Sequence, residues 1–423
     1  MPRIRISPLR AAGFAVLALL PALVLLLAPA PARALSASAG GGEAPAVLDR
    51  LFKDLAKGLQ AFAIRLDAIP PAGPHPGPRF FAPLTTADGR RGQDLLEYGG
   101  MEGNLVMLDA LQHLGVHGVA LSIPYPLLAP GQPRAQEYME FYSRLAAEIR
   151  KRSLALYVHM TPAFRSPAYA RQKGDAPFAA LDRLALAAGA QAEAVLAALR
   201  PDILGLISEP SAAAEDAGMP ELSTTEGLGR FLDNATRRLA RNGTRIAAGL
   251  GSWERPELAA ALAASSVVDI LDIHVCAVRS RKTDFLAQAD EYAQLARLLG
   301  KQAALGEVWL SKTSSFEFGS RRSGRSPDSQ EVLRRDMYGF WSPLDIAFLD
   351  LMVRLARIRG LEFVCPSRPQ HLFAYLEYQP GLEKTAFPAL ARKADAAAFA
   401  AMRRDDLSRT GEAFRRLIRD GRP

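Results

Sequence analysis

Two glutamates stand where otherwise apolar runs end. Glu209 closes DILGLISE at 202–209, and Glu307 lies near the end of QAALGEVW at 302–309. If both runs are strands, period-2 alternation puts Ile203, Gly205 and Ile207 on the face of Glu209. It puts Ala303 and Leu305 on the face of Glu307. Small and apolar neighbours suit a barrel interior, so both carboxylates are expected to point into one mouth. Taken singly, either could be a surface charge at a strand end. Opposed in one cleft, they can do glycoside hydrolysis. One carboxyl must stay protonated to serve the leaving oxygen, and the other ionised to attack carbon. A retaining mechanism holds the two about 5–5.5 Å apart.

Further polar and aromatic residues fall near the ends of other runs. In VVDILDIHV (267–275) and the following Cys276, alternation places Asp272, His274 and Cys276 on one face. His274 is then a donor to substrate or nucleophile, oriented by Asp272, or else a satisfied interior histidine. His159 ends LALYVHM and could meet a sugar hydroxyl or simply pack. Trp309 follows Glu307 by two and shares its face, where a ring can stack on a sugar. Trp253 and Tyr125 lie past the fifth and second runs, near the same mouth, with plain packing as the alternative reading of each. The stretch 311–340 carries Arg321, Arg322, Arg325, Arg334 and Arg335. It reads as a solvated loop or as a basic lid suited to an anionic polysaccharide. The six histidines are scattered without metal-ligand spacing, so no metal and no cofactor is expected. Ser-His-Asp hydrolysis has no G-x-S-x-G elbow to rest on.

These residues need a frame, and the pattern supplies one. Eight short apolar runs begin at about residues 79, 118, 154, 202, 244, 267, 302 and 361. Helical patterns separate them, at about 102–114, 134–151, 177–199, 224–241, 255–264, 284–299 and 343–358. Apolar strands alternating with helices make a parallel sheet covered on its outer face. Eight units close into a barrel. Gly115, Gly243, Gly300 and Gly360 stand between helix and strand, where a left-handed cap is wanted. An open doubly wound sheet would want a phosphate-binding turn after the first strand, and RFFAPLTTADG is not GxGxxG. The expected fold is therefore α/β, a single (β/α)₈ TIM barrel over 79–423. An amphipathic helix at 46–68 precedes it, in a linker region 35–78.

Composition agrees. With 49% hydrophobic and 23% charged residues the chain is globular rather than disordered or fibrous. Four of the eight net positive charges sit at Arg3, Arg5, Arg10 and Arg33. An apolar run at 11–28 and the small residues Ala32-Arg33-Ala34 complete a secretory layout, with cleavage expected after Ala34. Left uncut, residues 11–28 would instead anchor the chain in a membrane. The expected location is periplasmic or extracellular. The remaining charge is too weak and dispersed for nucleic-acid binding. Cys276 and Cys365 make no disulfide framework and read as buried thiols rather than a bridge.

The short motifs resemble those of the retaining glycoside hydrolases of clan A. ISEP at 207–210 is similar to the Asn-Glu-Pro signature of that group, LGEVW at 305–309 to its nucleophile strand, and DIHVC at 272–276 to its strand-six signature. The resemblance implies Glu209 as acid/base and Glu307 as nucleophile, working by double displacement on a β-linked oligo- or polysaccharide. It implies a divergent member. Ser208 stands where Asn usually contacts the sugar, Cys276 where Tyr is usual, and Cys365-Pro366-Ser367 where the eighth strand usually offers Trp. A carbohydrate-binding barrel that has lost activity would carry the same features. An aldolase or metal hydrolase would want a strand-end Lys or a His/Asp cluster, and neither is evident.

Overall fold

All eight apolar runs form strands. They are β1 Arg79–Pro83, β2 Gly118–Ser122, β3 Ala155–His159, β4 Ile203–Gly205, β5 Arg245–Gly251, β6 Ile270–Val275, β7 Gln302–Val308 and β8 Phe363–Pro366. In the computed structural model they pair in parallel, in sequence order, and β8 closes back on β1. The structure describes residues 46–70, 76–84, 93–97, 99–129, 131–160, 181–319 and 329–421. The export signal expected at 1–34, and Arg321, Arg322 and Arg325, lie outside these residues.

Barrel closure follows from what the strands put inside. Phe81, Tyr157, Ile203, Ile270 and Phe363 fill the interior, with Ala120, Ala247 and Ala304 between them. Phe81 and Phe363 stack with ring centroids 4.6 Å apart. Large side chains beside small ones fill the lumen, so it is a core and not a pore. At its lower end the Glu362 carboxylate accepts from Arg79 and Arg245.

The helices are α1 Ala46–Asp67, α2 Gly100–Leu114, α3 Ala135–Lys151, α4 Leu181–Leu199, α5 Pro210–Ala217, α6 Thr225–Thr236 and α7 Pro256–Ala264. They continue with α8 Phe285–Leu298, α9 Ser315–Gly319, α10 Ser329–Asp336, α11 Ser342–Arg359, α12 Phe387–Arg404 and α13 Arg409–Asp420. On α1, Leu51, Leu55, Leu59, Phe62 and Leu66 recur at helical spacing and are buried. This stripe packs α1 on the outside of the barrel, where Phe52 stacks on Trp341 just before α11 (5.8 Å). Gly115 and Gly360 take φ of 99° and 67° as left-handed caps of α2 and α11, as expected. Gly243 is not a cap, because α6 ends at Thr236, seven residues earlier. None of the helices among the described residues is long and apolar enough to cross a membrane.

Two expectations are corrected. The fourth run pairs in regular strand register only as far as Gly205, and an additional short helix, α5, follows at once. The stretch 311–340 is not a continuous loop, since it contains α9 and α10. Its described arginines are engaged: Arg335 binds Glu317 at 2.8 Å, and Arg334 donates to the carbonyl of Thr385.

Candidate active site

Glu307 reaches the barrel mouth by a route that alternation does not describe. Pairing runs Asp272 with Ala304, then His274 with Glu307, so β7 holds one residue more than β6 over this stretch. Before that bulge Ala304 faces the interior, while Ala303 and Leu305 face the helices. The expected inward face was therefore the wrong one. The bulge turns the strand by one residue and brings Glu307 inward again. Gly306 sits at the turn. A Cβ there would lie 1.9 Å from the Asp272 carboxylate, so the missing side chain makes room for that acid.

Glu209 arrives differently again. Beyond Gly205 the chain stays bonded to β5, the Leu206 N–H donating to the Ala247 carbonyl and the Gly249 N–H to the Ile207 carbonyl. Leu206 and Ile207 both pack in the main core, however, so alternation breaks and Ile207 does not share an inward face with Glu209. Glu209 is the residue before α5 and takes φ 50° and ψ 76°. Its amide N–H donates to the Gly249 carbonyl at 3.1 Å.

The two routes converge. Carboxylate oxygens of Glu209 and Glu307 and a ring nitrogen of His274 all lie within 4.8 Å of one another. His274 Nδ1 is 3.1 Å from Glu209 Oε1, and Nε2 is 3.4 Å from Asp272 Oδ2. The same Asp272 oxygen accepts from the Tyr157 hydroxyl at 2.6 Å. Burial pulls the His274 ring toward neutrality, but Glu307, Asp272 and Glu209 outweigh it and hold the imidazole well above its ordinary value. The surroundings thus favour the protonated imidazole, set between Glu209 and Asp272. Burial raises Asp272, yet His274 and Tyr157 bring it below the usual carboxylate value. Burial raises the Glu307 carboxyl, with Glu209 and Asp272 adding to the rise and His274 and Arg368 opposing it. His159 is drawn down to about 4 by burial and by the charge of His274, so it is neutral.

A cavity of about 1050 Å³ opens over Glu307, walled by His159, Cys276, Trp309 and Arg368 and flanked by α2 and α12. Trp309 is fixed from behind. Its Nε1 donates to Asp336 at 2.8 Å, and its ring stacks on His371 at 5.2 Å. Lys312, fully buried, lies 2.6 Å from Asp336 and also binds Asp345. Burial lifts Asp345 to about 6, with Lys312 opposing. Asp336 is pulled far down, because Lys312 and His371 outweigh its burial.

Of the residues expected at the mouth, Glu307, His159 and Trp309 line the cavity, and Glu209 and His274 cluster with Glu307 at its edge. The other three do not join the wall. Tyr125 is buried in the main hydrophobic core and does not line the cavity. Trp253 is half-buried, covering Gly251 and meeting Phe285 edge-on. Ser208 lies beside Gly249, where a Cβ would come within 3.3 Å of its Cα. Tyr157, Gly306, Lys312, Asp336 and Arg368 were not anticipated. Nothing in local spacing marks them, since their partners are distant in sequence.

Both cysteines are free thiols, and burial holds Cys365 well above the ordinary value. The fold also assembles what sequence spacing hid. Glu209, His274 and Glu307 could offer one oxygen, one nitrogen and one oxygen to a divalent cation. A proton on His274, favoured by its three carboxylates, competes with that use.

No family model matches the sequence, and no curated protein matches it. Among solved structures the chain is similar to the exo-β-1,4-mannosidase Op5Man5 from Opitutaceae bacterium strain TAV5. That match has 14% identity over 81% of this chain and 59% of the other, with a TM-score of 0.49. The chain thus spans less than two thirds of the mannosidase's length. It is also similar to a GH5_18 protein from Bifidobacterium longum subsp. infantis, at 12% identity over 81% and 79% of the two chains, TM-score 0.49. A GH5_18 protein from Streptomyces cattleya in complex with GlcNAc matches at 14% identity over 82% and 81%, TM-score 0.47.

Proposed function

We propose that this protein is an exported retaining glycoside hydrolase that cleaves a β-linked oligo- or polysaccharide through Glu209 and Glu307. The observation that carries the reading is their approach, with carboxylate oxygens within 4.8 Å. Retaining sites hold the pair about 5–5.5 Å apart, whereas inverting sites need about 6.5–9.5 Å to admit a water. Glu307 attacks the anomeric carbon as Glu209 gives a proton to the leaving oxygen. Glu209 then takes a proton from water as that water releases the sugar from Glu307. Trp309 shapes the cavity wall from a buried position, its ring held by Asp336 and His371.

The test is turnover with stereochemistry. Proton NMR of the first product should show the anomeric configuration of the substrate retained. Inverted product would remove the double-displacement reading. Sugar binding without turnover of any glycan would favour the inactive binding barrel. The pH profile has a predicted sign. Attack needs ionised Glu307, and burial raises that carboxyl above 4.5. Activity should therefore fall on the acid side at a higher pH than an ordinary glutamate would give. An acid limb below 4.5 would contradict this role for Glu307.

Export belongs to the same proposal. It is supported by the basic, apolar and small-residue order of 1–34. N-terminal sequencing of exported material should begin near Leu35. A start at Met1 or Pro2 in a membrane fraction would favour an anchor.

A further inference from the structure

Glu209 carries a Cβ in the left-handed region, at φ 50°, a conformation that persists only where surroundings impose it. The chain just beyond it shows what does so. Glu209 stands at the N-cap of α5 but makes no capping bond, so the first N–H groups of α5 need other acceptors. Ser211 finds one on a different element. Its amide N–H donates to Glu254 Oε1 at 2.9 Å, and its hydroxyl donates to Glu254 Oε2.

Glu254 is itself tightly held. It is 4% exposed. Its N–H donates to the Gly251 carbonyl at 2.9 Å. Its carbonyl accepts from Gln288 Nε2 at 2.8 Å and from the Tyr292 hydroxyl at 2.7 Å, both on α8. Burial raises the Glu254 carboxyl, and the two bonds from Ser211 oppose that rise. Glu209 is thus tied on both sides to the segment formed by β5 and the turn after it. Gly249 holds its own amide, and Glu254 holds the residue two places on.

We propose that Glu254 is the positioning residue for Glu209: by clamping Ser211 it fixes the turn that aims the Glu209 carboxylate at His274 and Glu307. The kinetic consequence rests on the acid/base reading of Glu209. The structural consequence does not.

The test uses the full chain with Glu254→Ala, Glu254→Gln and Ser211→Ala, each followed by crystal structure, thermal unfolding and kinetics. In a Glu254→Ala crystal, Glu209 should leave the left-handed region and its oxygen should draw away from His274 Nδ1. Turnover of a glycoside with a poor leaving group should fall about 100-fold, the scale of a 1 Å misplacement, while an activated aryl glycoside and KM stay within about 3-fold. Glu254→Gln keeps an oxygen for the Ser211 amide and should recover most of the loss. Ser211→Ala should fall between the two. Equal loss on every leaving group, tracking loss of thermal stability, would overturn the proposal in favour of a purely structural Glu254. An unmoved Glu209 in the Glu254→Ala crystal would overturn it outright. If the wild type turns over no glycoside, the hydrolase reading falls and the crystal structure alone decides the clamp.

Discussion

Replacing Glu307 with glutamine should abolish turnover and leave the barrel folded. Glutamine has nearly the shape of glutamate, and His274 keeps Glu209 and Asp272 as its partners. An amide cannot form the glycosyl ester, so the covalent path is closed. Loss of a covalent nucleophile costs on the order of 10⁵–10⁶ in kcat. Circular dichroism and the unfolding midpoint should remain those of the wild type. Binding of a non-hydrolysed sugar should also persist, because the other residues of the cavity wall, such as His159 and Arg368, are untouched. A Glu307→Gln protein that keeps even a hundredth of the activity would remove Glu307 from the reaction.

Replacing Glu209 with alanine should give a different signature. Its loss should slow poor leaving groups by about 10²–10⁴, the usual range for a general acid. An activated aryl glycoside leaves without a proton, so its first step should be largely spared. Release of the sugar from Glu307 would then be slow, since no base activates the water. Added azide, a small nucleophile that needs no deprotonation, should restore that second step and yield a glycosyl azide of retained configuration. The opposite pattern is equally readable. Burial holds a proton on Glu307 to higher pH, and His274 lies against Glu209. If azide rescue and aryl sparing appear in the Glu307 variant instead, the two glutamates exchange roles. Equal loss in both variants on every substrate, without rescue, would argue against both assignments.

The strands were legible because apolar runs bounded by turns have few other readings. Arg79–Pro83 forms β1 with the very limits its residues suggest. The glutamate pair was legible for a similar reason, as charge at the end of an apolar run needs a cleft or a surface. Its geometry was not. ILGLIS looks like a strand throughout, yet regular strand register stops at Gly205, because Glu209 must enter α5 through a left-handed turn. A bulge leaves no trace in alternation, so the inward face of β7 was misplaced by one residue. Tyr125 and Trp253 follow strand ends, but whether such a residue faces the mouth depends on the next turn. Lys312, Asp336 and Asp345 carry no local signal, since the two acids that hold Lys312 lie far from it in the chain.

The extra residue in β7 sets the phase of everything after it. Up to Ala304 the strand keeps step with β6, and beyond the bulge it runs one place behind. The direction of the Glu307 carboxylate is therefore a matter of counting as much as of chemistry. A chain shortened by one residue at Leu305 or Gly306 would keep its glutamate, its apolar run and its pairing with β6, yet aim the acid into the helices. In a barrel of this kind a single-codon deletion could silence the reaction while every residue thought to perform it still stands in the sequence.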